Sequence, residues 1–552
     1  MTFATCRGPL RTLIPIGLIL LSATLVTAQR RERTIDSWKP LHYDVSISFD
    51  DQVTEISSAR TDINLQVLAN SLTKIDFDFA EMPIDSVLVE GAPARFERTA
   101  DLLNVILPRA AKRGDKVNLT VTYHGRPKDG LVFAPDRDGK PSATGDNWPN
   151  RVHQWIPCLD HPSAKATVSF TVFAPPPEIV VANGRFVTMT RNGAANSVWR
   201  FEEAKPIPPY CMVIAVSEGA RLDATEKTVT PLSYYVPQRD RSYAPKGFSA
   251  AAAALSFFSE TIAPYPYEKL ALIIGATRFG GMENSSAIVF TSTLFDPRNN
   301  DKMSARFGIP TRIESVVAHE IAHQWFGDSV TESTWADLWL SEGFATYFAG
   351  LFIEKQDGEL AFRDYMRNAA DRYFTYEKQR NAPIHDAETR DLMKLLNENN
   401  YEKGAWVLHM LRKRLGDETF FRGLRIYYDA HRDGNATTED LRDALQKASG
   451  QDLRDFFTRW VYSGGHPIYE VSSASAGLAH AGGFLTITLK QTQAGVVFLD
   501  PVPIEIMVGG EKKKITIRPQ GKVATTRVPT KGAPTSIQID PDETLLREVV
   551  NR

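Results

Sequence analysis

From about residue 35 to residue 220 the chain alternates apolar and polar side chains with period two. Leu41-His-Tyr-Asp-Val-Ser-Ile-Ser-Phe, Ile63-Asn-Leu-Gln-Val, Val117-Asn-Leu-Thr-Val-Thr-Tyr and Ala166-Thr-Val-Ser-Phe-Thr-Val carry the pattern, with turn residues between them. Each reads as a half-buried strand, so an all-β unit of sandwich or saddle shape is expected over residues 29–225. The period changes near Ala250. An alanine-rich helix over Ser249–Thr261 leads into Pro264-Tyr-Pro-Tyr, an apolar strand Leu270–Ile274 and a glycine-rich turn. Beyond Arg312 the pattern is mostly helical. Thr437-Thr-Glu-Asp440 predicts a capped helix start, and Gly450 predicts its end. A further helix is expected over Asp452–Tyr462, stopped by Gly464, Gly465 and Pro467. The period then returns to two. Leu485–Leu489 and Ser536–Ile539 read as strands, and Ile504–Val508 with Lys514–Ile517 flank Gly509-Gly510 as a hairpin. The pattern therefore predicts a multidomain α+β chain: an N-terminal β unit, a mostly helical unit over 226–465, and a small β-sandwich over 466–552.

The first residues stand outside this scheme. Arg7 and Arg11 precede an apolar run from Leu13 to Val26, and Val26-Thr27-Ala28 has the small residues of a cleavage site. The run is shorter than the ~20 residues a spanning helix needs. Export with removal of residues 1–28 is expected, to a periplasmic or secreted location, with no stable membrane span afterwards. Of the chain's 3 cysteines, Cys158 and Cys211 lie beyond this segment. Two cysteines make no disulfide scaffold, although one bridge is permitted in an oxidising compartment. A formal net charge of -2 favours neither nucleic acid nor an acidic membrane surface as partner. A monomer or weak oligomer is expected.

The chemistry is concentrated at His319-Glu320-Ile321-Ala322-His323, with Glu342 further on. Histidines four apart on a helix share one face, so both imidazoles can reach one metal ion. Glu320 is offset and can address a water at the metal without being a ligand. A hydrolytic zinc site uses three protein ligands and one open position, and Glu342 completes a His-His-Glu set. Ile313, Val316, Val317, Ala318, Ile321, Ala322, Trp325 and Phe326 surround the motif. Ionisable groups in such apolar surroundings are costly unless something satisfies them. One Zn2+ per chain is expected, acting in amide or ester hydrolysis with Glu320 as the base. Asp337 reads either as a partner orienting a zinc histidine or as a cap for the helix bearing Glu342.

Three further motifs carry a family resemblance. Gly280-Gly281-Met282-Glu283-Asn284 precedes the metal helix, Trp339-Leu-Ser-Glu342-Gly-Phe-Ala follows it, and Tyr401-Glu-Lys-Gly404 comes later. Together, from Trp38 onward, the chain resembles the aminopeptidase N-like (membrane alanyl aminopeptidase) family of zinc metallopeptidases. These are gluzincins, and leukotriene-A hydrolase is related to them. The resemblance implies a thermolysin-like catalytic unit and peptide substrates with a free N-terminus. It assigns Glu283 to the substrate's α-amino group and Tyr401 to the oxyanion. It places Gly280, Gly281 and Asn284 along the substrate backbone, and Met282 beside the first side-chain pocket. Trp38-Lys-Pro-Leu-His-Tyr-Asp-Val and Pro157-Cys-Leu-Asp160-His-Pro162 also resemble family segments.

Two departures stand out. The family carries an amine-gripping glutamine about nine residues before the Pro-Cys bend. Here the stretch reads Gly145-Asp-Asn-Trp-Pro-Asn150, with Asn147 or Asp146 as the expected substitute. Many relatives also continue into a large helical domain after the β-sandwich; its absence from this sequence implies a more open cleft. The competing readings are a related hydrolase of epoxide type, a silent scaffold, and a thermolysin-like endopeptidase. Intact motif residues oppose the scaffold, and Glu283 in its setting opposes the endopeptidase.

Overall fold

The computed structural model describes residues 33–191, 196–296, 312–476 and 483–550. The expected leader, residues 1–28, lies outside the described residues.

The N-terminal unit is built on an eight-stranded sheet. Its centre is Trp38–Phe49, which pairs antiparallel with Ile56–Val67 and parallel with Ala166–Ala174. Tyr43, Val45 and Ile47 point one way and are buried, as the two-residue period requires. Three- and four-stranded sheets complete the unit and share its core. The strand Gly219–Asp223 does not join these sheets. It pairs with Leu232–Pro237, so the change of sheet falls at residue 219, ahead of residue 225.

The second unit begins with that five-stranded sheet. Its order is Gly219–Asp223, Leu232–Pro237, Leu270–Gly275, Ala287–Thr291 and Gly281–Met282. Leu270–Gly275 and Ala287–Thr291 run parallel and are buried on both faces, which explains their continuous apolar sequences. Gly281–Met282 is the edge strand. Helices Ala251–Thr261, Ile313–His323, Trp339–Asp357, Glu359–Glu377, Gly404–Leu415 and Asp417–His431 share a hydrophobic core with the sheet.

Several boundaries differ from the sequence pattern. The alanine-rich helix starts at Ala251, and the helix before Gly464 is shorter, Arg454–Trp460. Tyr401 sits in a widened π turn, Asn399–Lys403, that runs into the helix Gly404–Leu415. The capping box at Thr437 and Asp440 forms, and Gly450 closes that helix at φ 68°. The C-terminal unit has a four-stranded and a three-stranded sheet, and the expected hairpin turns at Gly509 and Gly510, both with positive φ. No helix among the described residues is long and apolar enough to cross a membrane.

The N-terminal unit is anchored to the second by buried polar contacts. Lys165 Nζ donates to the carbonyls of Asp328, Ser329 and Gly434 at 2.8, 2.9 and 3.0 Å. Asn183 Nδ2 donates to the Ser285 carbonyl at 2.6 Å, and the Gly184 N–H donates to Ser286 Oγ at 2.7 Å. The Asn183 and Gly184 contacts hold the segment that follows Asn284. Cys158 and Cys211 are buried and unbridged; the Cys211 thiol donates to Asp328 Oδ1 at 3.3 Å.

Candidate metal centre and cleft

The helix Ile313–His323 presents His319 and His323 on one face, and Glu342 arrives from the first turn of Trp339–Asp357. The ligand atoms converge. His319 Nε2 lies 3.0 Å from His323 Nε2 and 3.2 Å from Glu342 Oε2, and His323 Nε2 lies 3.4 Å from the same oxygen. Nitrogen and oxygen ligands about 2.0–2.1 Å from a tetrahedral zinc would stand roughly 3.3 Å apart. The donor set therefore fits such an ion. The Nδ1 of His323 faces the Phe326 carbonyl at 3.2 Å, which can only accept. That nitrogen is thus the donor, and Nε2 is the one turned to the metal position. Ser341 Oγ also lies 3.0 Å from this Nδ1.

Charge separates the carboxylates. Burial works to raise the Glu342 pKa, but His323 and the hydrogen bonds from both histidines bring it down to about 2. Burial raises Glu320 well above the usual carboxylate range, with Glu283 and Glu342 adding to the effect against His323. Glu283 is pushed up to about 7, first by burial and then by Glu342. Burial opposes protonation of His323, yet the same carboxylates raise it to about 10. The pocket is arranged to hold positive charge. Within it one glutamate stays ionised while its neighbour has high proton affinity, the pattern of a ligand beside a base.

Two close approaches build this arrangement. Gly343, next to Glu342, meets Gly404 across the helix crossing, where an added Cβ would lie 2.9 Å from the Gly404 Cα. Only glycine on both sides lets the backbones touch, and the contact brings Tyr401 beside the metal position. The Tyr401 ring stacks on His319, with centroids 5.9 Å apart and planes 6° from parallel. Burial, then Glu342, raises its phenol well above the usual value, so it remains a proton donor. Gly281 is the second approach: a Cβ there would fall 2.3 Å from the Glu320 carboxylate.

The edge strand forms the opposite wall. Gly281 and Met282 pair with Phe290 and Val289, leaving their other edge open to the cleft. The Gly280 carbonyl accepts from the Thr291 N–H at 3.1 Å, and Asn284 Nδ2 donates to the Met282 carbonyl at 3.3 Å. Glu283 is buried, with a carboxylate oxygen in one cluster with Glu320 and His323. A cleft of about 860 Å³ joins Gly280, Gly281, Met282, Glu283 and Tyr401 to the metal position. Asn284 is fully buried behind this wall.

Sequence reasoning missed Gln324. Its Nε2 donates to the Glu283 carbonyl at 2.9 Å and to Asp328 Oδ2 at 2.8 Å, while its Oε1 accepts from the Ser286 N–H at 2.8 Å and from the Tyr265 hydroxyl at 3.1 Å. It ties the metal helix to the loop bearing Glu283. An amide directly after the motif, among apolar residues, was the available signal. Asp337 fills neither expected role. Its Oδ1 accepts from Thr438 Oγ1 at 2.7 Å and from His385 Nδ1 at 3.0 Å. Asn147 and Asp146 do not substitute for the amine-gripping glutamine by reaching into the cleft. Asn147 accepts from Trp155 Nε1 and donates to the Met212 carbonyl, and Asp146 is paired with Arg151 and Arg278.

Both units are found in known proteins. Residues 39–211 match the Peptidase M1 N-terminal domain, and residues 247–460 match the Peptidase family M1 domain. The chain belongs to peptidase family M1. The M1 relatives include probable aminopeptidase 1 of Saccharolobus solfataricus, 27% identical over 72% of this chain and 51% of its own length. Glutamyl aminopeptidase of Rattus norvegicus is 28% identical over 66% of this chain and 40% of its own. The chain thus spans about half the length of such curated relatives. A solved M1 zinc metallopeptidase from Deinococcus radiodurans superposes with a TM-score of 0.64 at 25% identity, covering 77% of this chain and 93% of that one.

Proposed function

We propose that this M1 chain is a zinc-dependent aminopeptidase that removes the N-terminal residue of peptides. The observation that carries the reading is the placement of Glu283 in one buried cluster with Glu320 and His323. A carboxylate there answers the substrate's ammonium through a charge-assisted hydrogen bond, which a blocked or internal residue cannot supply. His319, His323 and Glu342 hold the ion, which when bound supplies a Lewis acid and a more acidic water. Glu320 accepts the proton of the attacking water and returns it to the leaving amine. The Tyr401 phenol donates to the oxyanion of the tetrahedral intermediate. The edge at Gly280–Met282 offers backbone groups to an extended substrate.

Aminoacyl chromogenic amides test the reading, each paired with its N-acetylated form, with and without a zinc chelator. Chelator-sensitive cleavage of the free-amine members alone is expected. Cleavage of the acetylated members would remove the role given to Glu283 and favour an endopeptidase. The leader-like residues 1–28 support export to a periplasmic or secreted location. N-terminal sequencing of protein recovered from outside the cytoplasm is expected to begin after Ala28. A monomer or weak oligomer in sizing experiments goes with the near-neutral charge.

A further inference from the structure

Of the three residues Asp146, Asn147 and Trp148, the one that lines the cleft is Trp148. Asn147 is turned to Trp155 and Met212. Asp146 accepts from Arg278 Nε at 3.2 Å and Thr277 Oγ1 at 2.9 Å, and pairs with Arg151 at 3.1 Å. Trp148 instead joins Phe279, Met282, Glu283 and Leu396 in the wall of the cavity. Its ring packs edge-to-face on Phe279, with centroids 6.0 Å apart, and on Trp335 at 5.5 Å. The indole Nε1 has no hydrogen-bond partner among the described residues, so aromatic packing fixes the ring. Met282 lies in the same buried cluster as Trp148 and Trp335.

The wall beside Glu283 is therefore made of aromatic rings, a thioether and a leucine. The charged lining residue next to it in sequence, Arg278, is already paired, with Asp129 at 2.7 Å and Asp146 at 3.2 Å. An apolar side chain entering this space gains by leaving water. An acidic or basic one would lose its hydration against the rings of Trp148 and Phe279, whose one polar group is the Trp148 indole N–H.

Resting on the aminopeptidase reading, we propose that Trp148, with Phe279 and Met282, sets the enzyme's preference for substrates whose N-terminal residue is large and apolar or aromatic. Position 148 acts as a specificity residue and leaves recognition of the amine to Glu283.

The test is kcat/KM of the zinc-loaded full chain on Phe, Leu, Met, Ala, Lys and Glu amides, for wild type, Trp148→Gln and Phe279→Ser. Wild type is expected to prefer Phe, Leu and Met over Lys and Glu by about 10- to 100-fold. Trp148→Gln is expected to lower the Phe-to-Ala ratio about tenfold. Phe279→Ser, on the more exposed side of the wall, lowers it about threefold and serves if the first variant does not fold. A panel led by Lys or Glu overturns the inference, as does a flat one or an unchanged ratio in both variants; in each case the aminopeptidase reading stands. Failure of the zinc-loaded wild type to cleave any free-amine amide overturns both.

Discussion

On the helical wall of the cleft, three ligand atoms converge from the helices Ile313–His323 and Trp339–Asp357, and a bare-backbone contact at Gly343 and Gly404 sets Tyr401 beside them, whereas the sheet-edge wall is a two-residue strand held by a side chain from its opposite number. The first wall is made of charges that answer one another: Glu342 is held ionised by the histidines it faces. The second is made of backbone, apolar rings and one buried carboxylate, and Gln324 secures it from the end of the metal helix. The helical wall fixes where reaction occurs, and the edge wall fixes what is presented to it. The two should therefore fail differently.

Breaking the helical wall has the largest effect. In His323→Ala, or after chelation, zinc content is expected to fall far below one per chain and cleavage to drop to background, because groups that act as a unit do not fail partially. Retention of stoichiometric, tightly held zinc by that variant would sink the ligand assignment. Glu320→Gln sharpens the point by sparing the ion. Its kcat should fall by about 10²–10⁴-fold with zinc content unchanged, as measured by elemental analysis beside turnover.

The edge wall should give smaller, substrate-dependent losses. Glu283→Gln is expected to lower kcat/KM on free-amine amides by about 10- to 100-fold, the weight of one charged hydrogen bond, with zinc stoichiometry intact. An equal loss of zinc would mean that Glu283 supports the ion and not the amine. Gln324→Leu is the mildest change: loosening the Glu283 loop should reduce kcat/KM about tenfold, again with full zinc content. If Gln324→Leu also empties the metal site, the two walls are a single unit and the contrast fails.

The same contrast governs how much of the site could be read from sequence. His319 and His323 were legible because helical periodicity places residues four apart on one face whatever surrounds them. The strand read over Leu41–Phe49 was legible for the matching reason in sheets, and it begins three residues earlier, at Trp38. Period alone marked individual strands, but not the assignment of Gly219–Asp223 to the second sheet, since pairing partners are set by tertiary contacts. Asp337 was misread for that reason: its partners Thr438 and His385 lie far along the chain. The segment 145–150 has no period, so nothing in it announced that Trp148 and not Asn147 would line the cleft. Tyr401 was assigned through the family resemblance, while the π turn that carries it interrupts the mostly helical pattern beyond Arg312.

The crossing at Gly343 and Gly404 has a mechanical side. With no side chain between them, these helices meet backbone to backbone and cannot be brought closer. Glu342 and Tyr401 lie on opposite arms within a turn of that point, so a side chain added at either glycine would push the two groups apart. The spacing of a metal ligand and the ring that faces it therefore rests on the two smallest residues in the crossing.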